Sequence, residues 1–156
     1  MLTLIALSLA QESPEPEGVQ RYHEELVGRR SAYVTRIEGF TETMYLAGVD
    51  QPASLARARA DLLEQTDSAR QLPPWEEDAS LKEALVLLGE SLVSTLDGPF
   101  LELLPLLDPP SPFGARRRAQ KLRDLSERMG LELGASLDRF DAEALAFSER
   151  WGLSAP

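Results

Sequence analysis

The sequence has no cysteine and only one histidine. The absence of cysteine excludes disulfides, thiolate metal sites, covalently attached haem and thiol nucleophiles. A single histidine also excludes a metal centre with several histidine ligands from one chain. No glycine-rich phosphate-binding loop is present. Aromatic residues make up only 6% of the chain, so any core must be mainly aliphatic.

The composition that remains is typical of one globular domain. The chain has 156 residues, of which 43% are hydrophobic and 27% are charged. Acidic residues outnumber basic ones by 26 to 16, which gives a net charge of −10. Such a charge repels nucleic acid and anionic lipid surfaces, so we expect no nucleic-acid partner.

The first eighteen residues differ in composition from the rest. Residues 1–10 are apolar and uncharged, and residues 11–18 are acidic and proline-rich, which is the pattern of an export signal followed by a flexible tether. Ser8 and Ala10 supply the small residues that signal peptidase needs before its cut. No basic residue precedes the apolar run, so a frayed apolar start to a cytosolic chain is the alternative.

Membrane attachment is not expected from this segment. Gln11 stands where a bacterial lipoprotein needs a cysteine, and the apolar run is shorter than the roughly 20 residues of a membrane span. We therefore predict that the mature protein begins near Gln11 and is exported to the periplasm or the extracellular space without a membrane span.

Residues 19–153 form one predicted domain with helical periodicity. Apolar residues recur at intervals of three and four, and no segment alternates as a strand does. The predicted fold is all-α, an up-down-up-down four-helix bundle in which the first and last helices are long. The predicted helices span residues 17–48, 52–71, 79–107 and 114–151.

The apolar faces of these helices are read from the spacing. The first helix carries Val19, Tyr22, Leu26, Tyr33, Ile37, Phe40, Met44 and Ala47. The second carries Leu55, Ala58, Leu62, Thr66 and Ala69. The last carries Ala115, Ala119, Leu122, Ser126, Met129, Leu133, Leu137, Phe140, Ala144, Phe147 and Trp151. Because the last stripe keeps its phase through Gly130 and Gly134, we predict one continuous helix.

Local signals mark the helix ends. Gly48 is expected to end the first helix, and Asp50 is expected to cap the second. The third helix starts either from Asp78 or from a capping box formed by Ser80 and Glu83. Pro99 is expected to kink the third helix, since proline removes a backbone hydrogen bond.

Two features of the sequence have more than one interpretation. Gly28, Ala32 and Gly39 form a row of small residues, which either allows close approach of another helix or is a tolerated weakness. Trp75 follows two prolines in a loop, and either plugs one end of the bundle or awaits a partner.

His23 and the arginines are the residues that invite a chemical role. A di-iron bundle repeats Glu-x-x-His, but Gln20 precedes His23 by three, so we interpret His23 as a partly exposed helix residue. The basic cluster of Arg116–Arg118, Lys121 and Arg123 contains no aromatic residue for base stacking and is interpreted as a solvated helix start. Arg29, Arg30 and Arg36 are expected to cover the core with their stems while their heads reach water.

Catalysis is not expected from this sequence. The lone histidine has no glycine-rich nucleophile elbow near it, and the carboxylates are distributed as on exposed helix faces. We predict no enzyme activity, and no catalytic, cofactor-binding or metal-binding residue is assigned.

Two segments carry a resemblance. Leu72–Leu81 and Ala144–Leu153 together resemble uncharacterised bacterial exported helical-bundle proteins, often described as surface lipoproteins of unknown function. The resemblance implies a long-helix bundle outside the cytoplasm and supplies no ligand residues. The missing lipobox cysteine departs from the lipoprotein members.

Two classes of function remain after these exclusions. The first is a non-catalytic interaction or structural bundle that offers a helix face to an unidentified protein partner. The alternative is a small-ligand carrier or sensor with a site between helices near Pro99, lined by Phe100 and leucines.

Overall fold

The computed structural model describes residues 16–44, 46, 48–107 and 114–153. The predicted signal segment at 1–10, the tether up to residue 15, and the loop at 108–112 lie outside the described residues. So does Ala47 of the first apolar stripe. Residues 16–18 of the predicted tether are helical.

The fold is an all-α four-helix bundle, as predicted, and the described part of the chain contains no β-strand. Helix α3 runs from Ser80 to Leu106 and includes a π-helical turn and a final 3₁₀ turn. The four helices are α1 Pro16–Met44, α2 Gln51–Gln71, α3 Ser80–Leu106 and α4 Ala115–Arg150.

Side-chain pairs between neighbouring helices fix the up-down-up-down order. On α1 and α2, Arg29 meets Ser68 while Arg36 meets Asp61. On α2 and α3, Arg70 meets Glu90 while Arg59 meets Asp97. On α3 and α4, Ser91 meets Ser136 while Glu102 meets Arg128. In every case the number rises on one helix as it falls on the next, so each neighbouring pair is antiparallel.

The first two helices meet at a tight connection. Helix α1 ends at Met44, four residues before the predicted end at Gly48. The side-chain amide of Gln51 donates to the Met44 carbonyl at 2.9 Å, so a side chain satisfies this helix end. Gly48 adopts a φ of +80°, which glycine adopts without strain, and the chain turns there. Asp50 caps α2 as predicted by accepting from the Ala53 N–H at 3.0 Å.

Of the two starts considered for α3, the structure uses Asp78, and the capping box of Ser80 and Glu83 is not formed. The Ser80 hydroxyl donates to the Asp78 carboxylate at 2.6 Å, and the same carboxylate oxygen accepts from the Ser80 N–H at 3.0 Å. The predicted kink at Pro99 is not shown. The chain instead makes a π-helical turn at Leu96–Phe100 and continues as helix. The wider turn accommodates Pro99, which has no backbone N–H to donate.

Helix α4 is continuous through Gly130 and Gly134, as predicted. Its first half departs from the predicted stripe. Leu125, outside that stripe, is buried, while Ala115, Ala119 and Ser126 are exposed. This half of α4 extends beside the end of α3, so fewer neighbours constrain which side faces inward.

The core lies around α3. The predicted face of α2 is buried in full, and so are the described members of the α1 stripe apart from the half-buried Tyr22. Helix α3 is long enough and apolar enough to cross a membrane, but half of its most apolar stretch is buried inside the bundle. A core helix has the same properties, so the expected lack of a membrane span stays a prediction.

Close packing between α2 and α3 depends on Gly89. A Cβ atom at this position would overlap the Thr66 Oγ1 and approach the Thr66 Cγ2 to 3.1 Å. Thr66 is fixed there because its hydroxyl donates to the Leu62 carbonyl at 2.7 Å. The absence of a side chain at Gly89 therefore sets the distance between the two helices.

Gly89→Ala is expected to lower the free energy of unfolding by about 1–3 kcal/mol, because the added methyl group overpacks the contact with Thr66. Urea denaturation measures this change. In a Thr66→Ala background the same substitution should cost clearly less. Gly134→Ala, with open space around its Cβ position, is the control and should raise stability by up to about 1 kcal/mol. Equal costs at positions 89 and 134 would contradict the packing argument.

Candidate functional site

Aromatic residues close the end of the bundle where α1 begins and α4 ends. The Trp75 ring lies 5.7 Å from that of Tyr22 and 6.4 Å, edge-on, from that of Trp151. It also covers Gly18, where a Cβ atom would lie 2.8 Å from the indole Cη2. The Tyr22 hydroxyl donates to the Pro73 carbonyl at 3.3 Å. Of the two interpretations of Trp75, this packing agrees with a plug at one end of the bundle.

Asp78 joins the start of α3 to the end of α4. One of its carboxylate oxygens accepts from Ser80, as described above. The other accepts from the Trp151 Nε1–H at 3.2 Å and from the Arg150 Nε–H at 3.1 Å. Arg150 also donates to Glu143 at 2.8 Å. These bonds hold the aromatic plug in place.

The same bonds shift the titration of this carboxylate. Burial alone raises the pKa of Asp78, but hydrogen bonds from Ser80 and Trp151 together with the charge of Arg150 outweigh burial and hold its pKa below the ordinary value. Hydrogen bonding to Arg150 likewise lowers the pKa of Glu143. Both groups therefore stabilise the folded chain in their ionised form.

The sign of the pH dependence follows from these lowered pKa values. The contribution of Asp78 is fully present above its unfolded pKa of about 3.9 and is lost as pH falls through its lower folded pKa. Asp78→Asn is expected to lower the free energy of unfolding at pH 7 by about 1–3 kcal/mol and to flatten its decline below about pH 4. Urea titrations followed by tryptophan fluorescence measure both effects.

The control for this prediction is Glu64→Gln, at an exposed position on α2. It should change stability at pH 7 by less than about 0.5 kcal/mol. An Asp78→Asn protein with the wild-type stability and the wild-type acid dependence would show that the network contributes nothing.

The candidate functional site is a groove between α1 and α4, with a volume of about 640 Å³. Two polar pairs cross it, one between His23 and Ser148 and one between Arg30 and Asp141. Most of its lining is apolar or small. The lining consists of His23, Val27, Arg30, Ser31, Phe140, Asp141, Ala144, Leu145, Ser148, Glu149 and Leu153.

His23 lies in this groove and is buried, with only 8% of its surface exposed, which corrects the predicted partly exposed position. Its Nε2 lies 3.1 Å from the Ser148 hydroxyl, and its ring stacks on Phe147 at 6.1 Å. The Ser148 hydroxyl donates its one proton to the Ala144 carbonyl at 3.0 Å. The contact is therefore complete when Nε2 carries the proton and donates to Ser148.

In this arrangement the Ser148 proton is directed away from His23. A histidine base must accept the proton of the serine that it activates, and here that proton is directed to the Ala144 carbonyl. No carboxylate among the described residues is hydrogen-bonded to His23 to orient its ring. The pair presents fixed polar atoms in a groove whose exposed surface is mainly apolar, as binding sites do.

The His23 and Ser148 contact should be measurable as a coupling energy. A double-mutant cycle with His23→Leu and Ser148→Ala is expected to give about 0.5–1.5 kcal/mol in urea unfolding. The cycle cancels the separate loss of the Ser148 bond to Ala144. The exposed bond between Gln20 and Glu24 is the comparison pair and should give about 0.2–0.5 kcal/mol. A coupling energy of zero would show that His23 and Ser148 are not in contact in the folded protein.

Arg30 and Asp141 join the two walls of the groove. Arg30 donates from Nε at 3.2 Å and from Nη2 at 2.8 Å to the two oxygens of Asp141. Arg29 and Arg36 are also ion-paired, to Glu25 at 2.9 Å and to Asp61 at 3.0 Å. The prediction that these three arginine heads simply reach water is therefore incomplete, because each has an acidic partner.

The basic cluster at the start of α4 is partly structural. Arg118 donates from Nε to the Leu106 carbonyl and so joins the end of α3 to α4. Arg116, Arg117, Lys121 and Arg123 are exposed. This is the solvated helix start that was predicted, with one member used for packing.

The row of small residues on α1 does not bring another helix close. Cβ atoms at Gly28 and Gly39 would meet nothing within 4 Å. Ala32 and Gly39 instead line a second groove of about 500 Å³ between α1 and α2. Arg36 and Asp61, which also line this groove, are ion-paired at 3.0 Å.

Neither a cluster of metal ligands nor a similar protein indicates a role for these grooves. In the described part of the chain, no three histidine, aspartate or glutamate side chains lie together so as to hold a metal ion. Comparisons with protein-family models, with curated proteins and with solved structures find no match to this chain.

Proposed function

We propose that this chain is a non-catalytic interaction protein that docks a partner in the groove between α1 and α4. One observation carries the proposal: the groove is wide, open and mainly apolar, and Leu145 in its wall is 61% exposed. An exposed apolar groove between helices is the kind of surface that accepts a helix from another protein.

The polar groups of the groove support binding rather than catalysis. His23 is hydrogen-bonded to Ser148, and Arg30 is bonded to Asp141 through two bonds. Groups that already have partners orient a ligand without supplying a free base or nucleophile.

The alternative of a small-ligand site near Pro99 has less support. Phe100 is 1% exposed and packs edge-on against Phe40 with their ring centres 5.2 Å apart. Leu96 and Leu103 are buried beside it. The residues expected to line a pocket near Pro99 are therefore packed in the core.

Export is a further part of the proposal and depends on the sequence. The apolar segment at 1–10 followed by acidic residues favours a cleaved signal, and the resemblance to exported bacterial helical-bundle proteins agrees with it. N-terminal sequencing of protein from the native cell should find a start near Gln11. Intact Met1 in the cytosolic fraction would contradict export.

Site-specific photo-crosslinking in the native cell tests the docking surface. A photoreactive residue replaces Leu145 in the groove or, as the matched control, Leu101, which is 55% exposed on α3. We expect a defined crosslinked adduct from position 145 and not from position 101, because only position 145 lies in the groove. Native mass spectrometry of the same protein then shows whether the adduct is a protein.

Two outcomes would overturn the proposed function. Adducts of equal yield at positions 145 and 101 would show that other proteins contact the surface without preferring the groove. A stoichiometric small molecule in place of a protein would favour the carrier alternative.

A further inference from the structure

We propose that the partner of the groove is an amphipathic helix whose apolar stripe is flanked by lysine or arginine residues. This inference rests on the proposed function and adds the chemistry of the partner.

The α1 rim of the groove is acidic. Val27 and Ser31 line the groove, and residues three, four or seven positions from them lie on the same side of the helix. Glu24 is three positions before Val27, and Glu38 is seven positions after Ser31. Both glutamates are exposed. Glu24 therefore places negative charge beside the groove, and Glu38 places it two turns beyond Ser31 on the same side of α1.

The α4 rim is acidic as well. Glu149 lines the groove and is exposed. Asp138 is exposed and lies two turns before Leu145, on the same side of α4. Arg30 is the basic residue that lines the groove. It donates two hydrogen bonds to Asp141, so the charges of these two side chains offset each other. The charge left facing the groove is negative on both rims.

The apolar surface extends along α4 beyond the groove itself. Leu131 is 76% exposed and lies fourteen residues before Leu145, nearly four whole turns, so the two leucines share a side of the helix. At 1.5 Å per residue they are separated by about 21 Å, the length of a partner helix of about 14 residues. Ala135 and Ala142 between them are also exposed, and Asp138 lies midway between the two leucines, so a carboxylate interrupts the apolar surface.

Charge disfavours the other occupants. A second copy of this chain carries the same net charge of −10 and would place its own Asp138 and Glu149 against these rims. An anionic lipid surface or a nucleic acid would meet the same repulsion. A helix with basic flanks gains attraction on both sides of its apolar stripe, and the attraction weakens with salt.

Fluorescence anisotropy of labelled peptides with the full chain tests this inference. The probe is a synthetic amphipathic helix of about 18 residues, about 27 Å long, made of leucine and lysine. The comparison peptides are a leucine and glutamate analogue and a lysine-matched peptide with scrambled order. We expect the leucine and lysine helix to bind at least about tenfold more tightly than either of the others.

Matched variants distinguish the groove from general acidity. Glu24→Gln, Asp138→Asn and Glu149→Gln together should weaken binding by about tenfold or more. Glu64→Gln, Glu77→Gln and Glu83→Gln remove the same charge at exposed positions elsewhere and should weaken it by less than about threefold. Leu145→Gln should weaken binding by about fivefold or more, and Leu101→Gln should not.

The outcomes separate this inference from the proposed function. Equal weakening by the two triple variants, or tight binding of the glutamate peptide, would overturn the basic-helix inference. If position 145 still crosslinks to a protein in the native cell, docking in the groove stands with a partner of other chemistry. If the crosslink also fails, the docking proposal itself is wrong.

Discussion

Burial of the aliphatic face of α3 is the interaction on which the rest of the bundle depends. With few aromatic residues in the chain, leucines must supply most of the apolar area, and α3 contributes more buried residues than any other described helix. The other three helices pack around it. Gly89 and Thr66 then fix how closely α2 lies, because no side chain separates them.

The groove between α1 and α4 follows from this arrangement. Helix α4 is bonded to α3 at both of its ends, from Arg118 to Leu106 and from Arg150 to Ser80, so its path is set by α3. Helix α1 meets α4 mainly near the plugged end, through His23 and Ser148 and through Arg30 and Asp141. Between these two pairs the groove leaves apolar side chains such as Leu145 accessible.

The distribution of charge gives this opening a chemical character. Much of the basic charge on the described helices is used in ion pairs, as with Arg36 and Asp61 or Arg59 and Asp97. Asp138 and Glu149 lie exposed along the α4 rim. Part of the acidic excess in the composition thus lies beside and within an exposed apolar surface of α4.

The sequence by itself determined the helices and most of the buried faces, because helical periodicity and capping are local properties. The face of α2 from Leu55 to Ala69, the Asp50 cap and the continuity of α4 could all be predicted in this way. Only the tertiary structure decided that His23 meets Ser148, that Arg30 meets Asp141, and that the space between them is open. These partners are more than a hundred residues apart, and no local pattern predicts which pair of helices leaves a groove between them. The relative placement of α1 and α4 depends on how both pack against α3, and that packing is decided by the whole core at once.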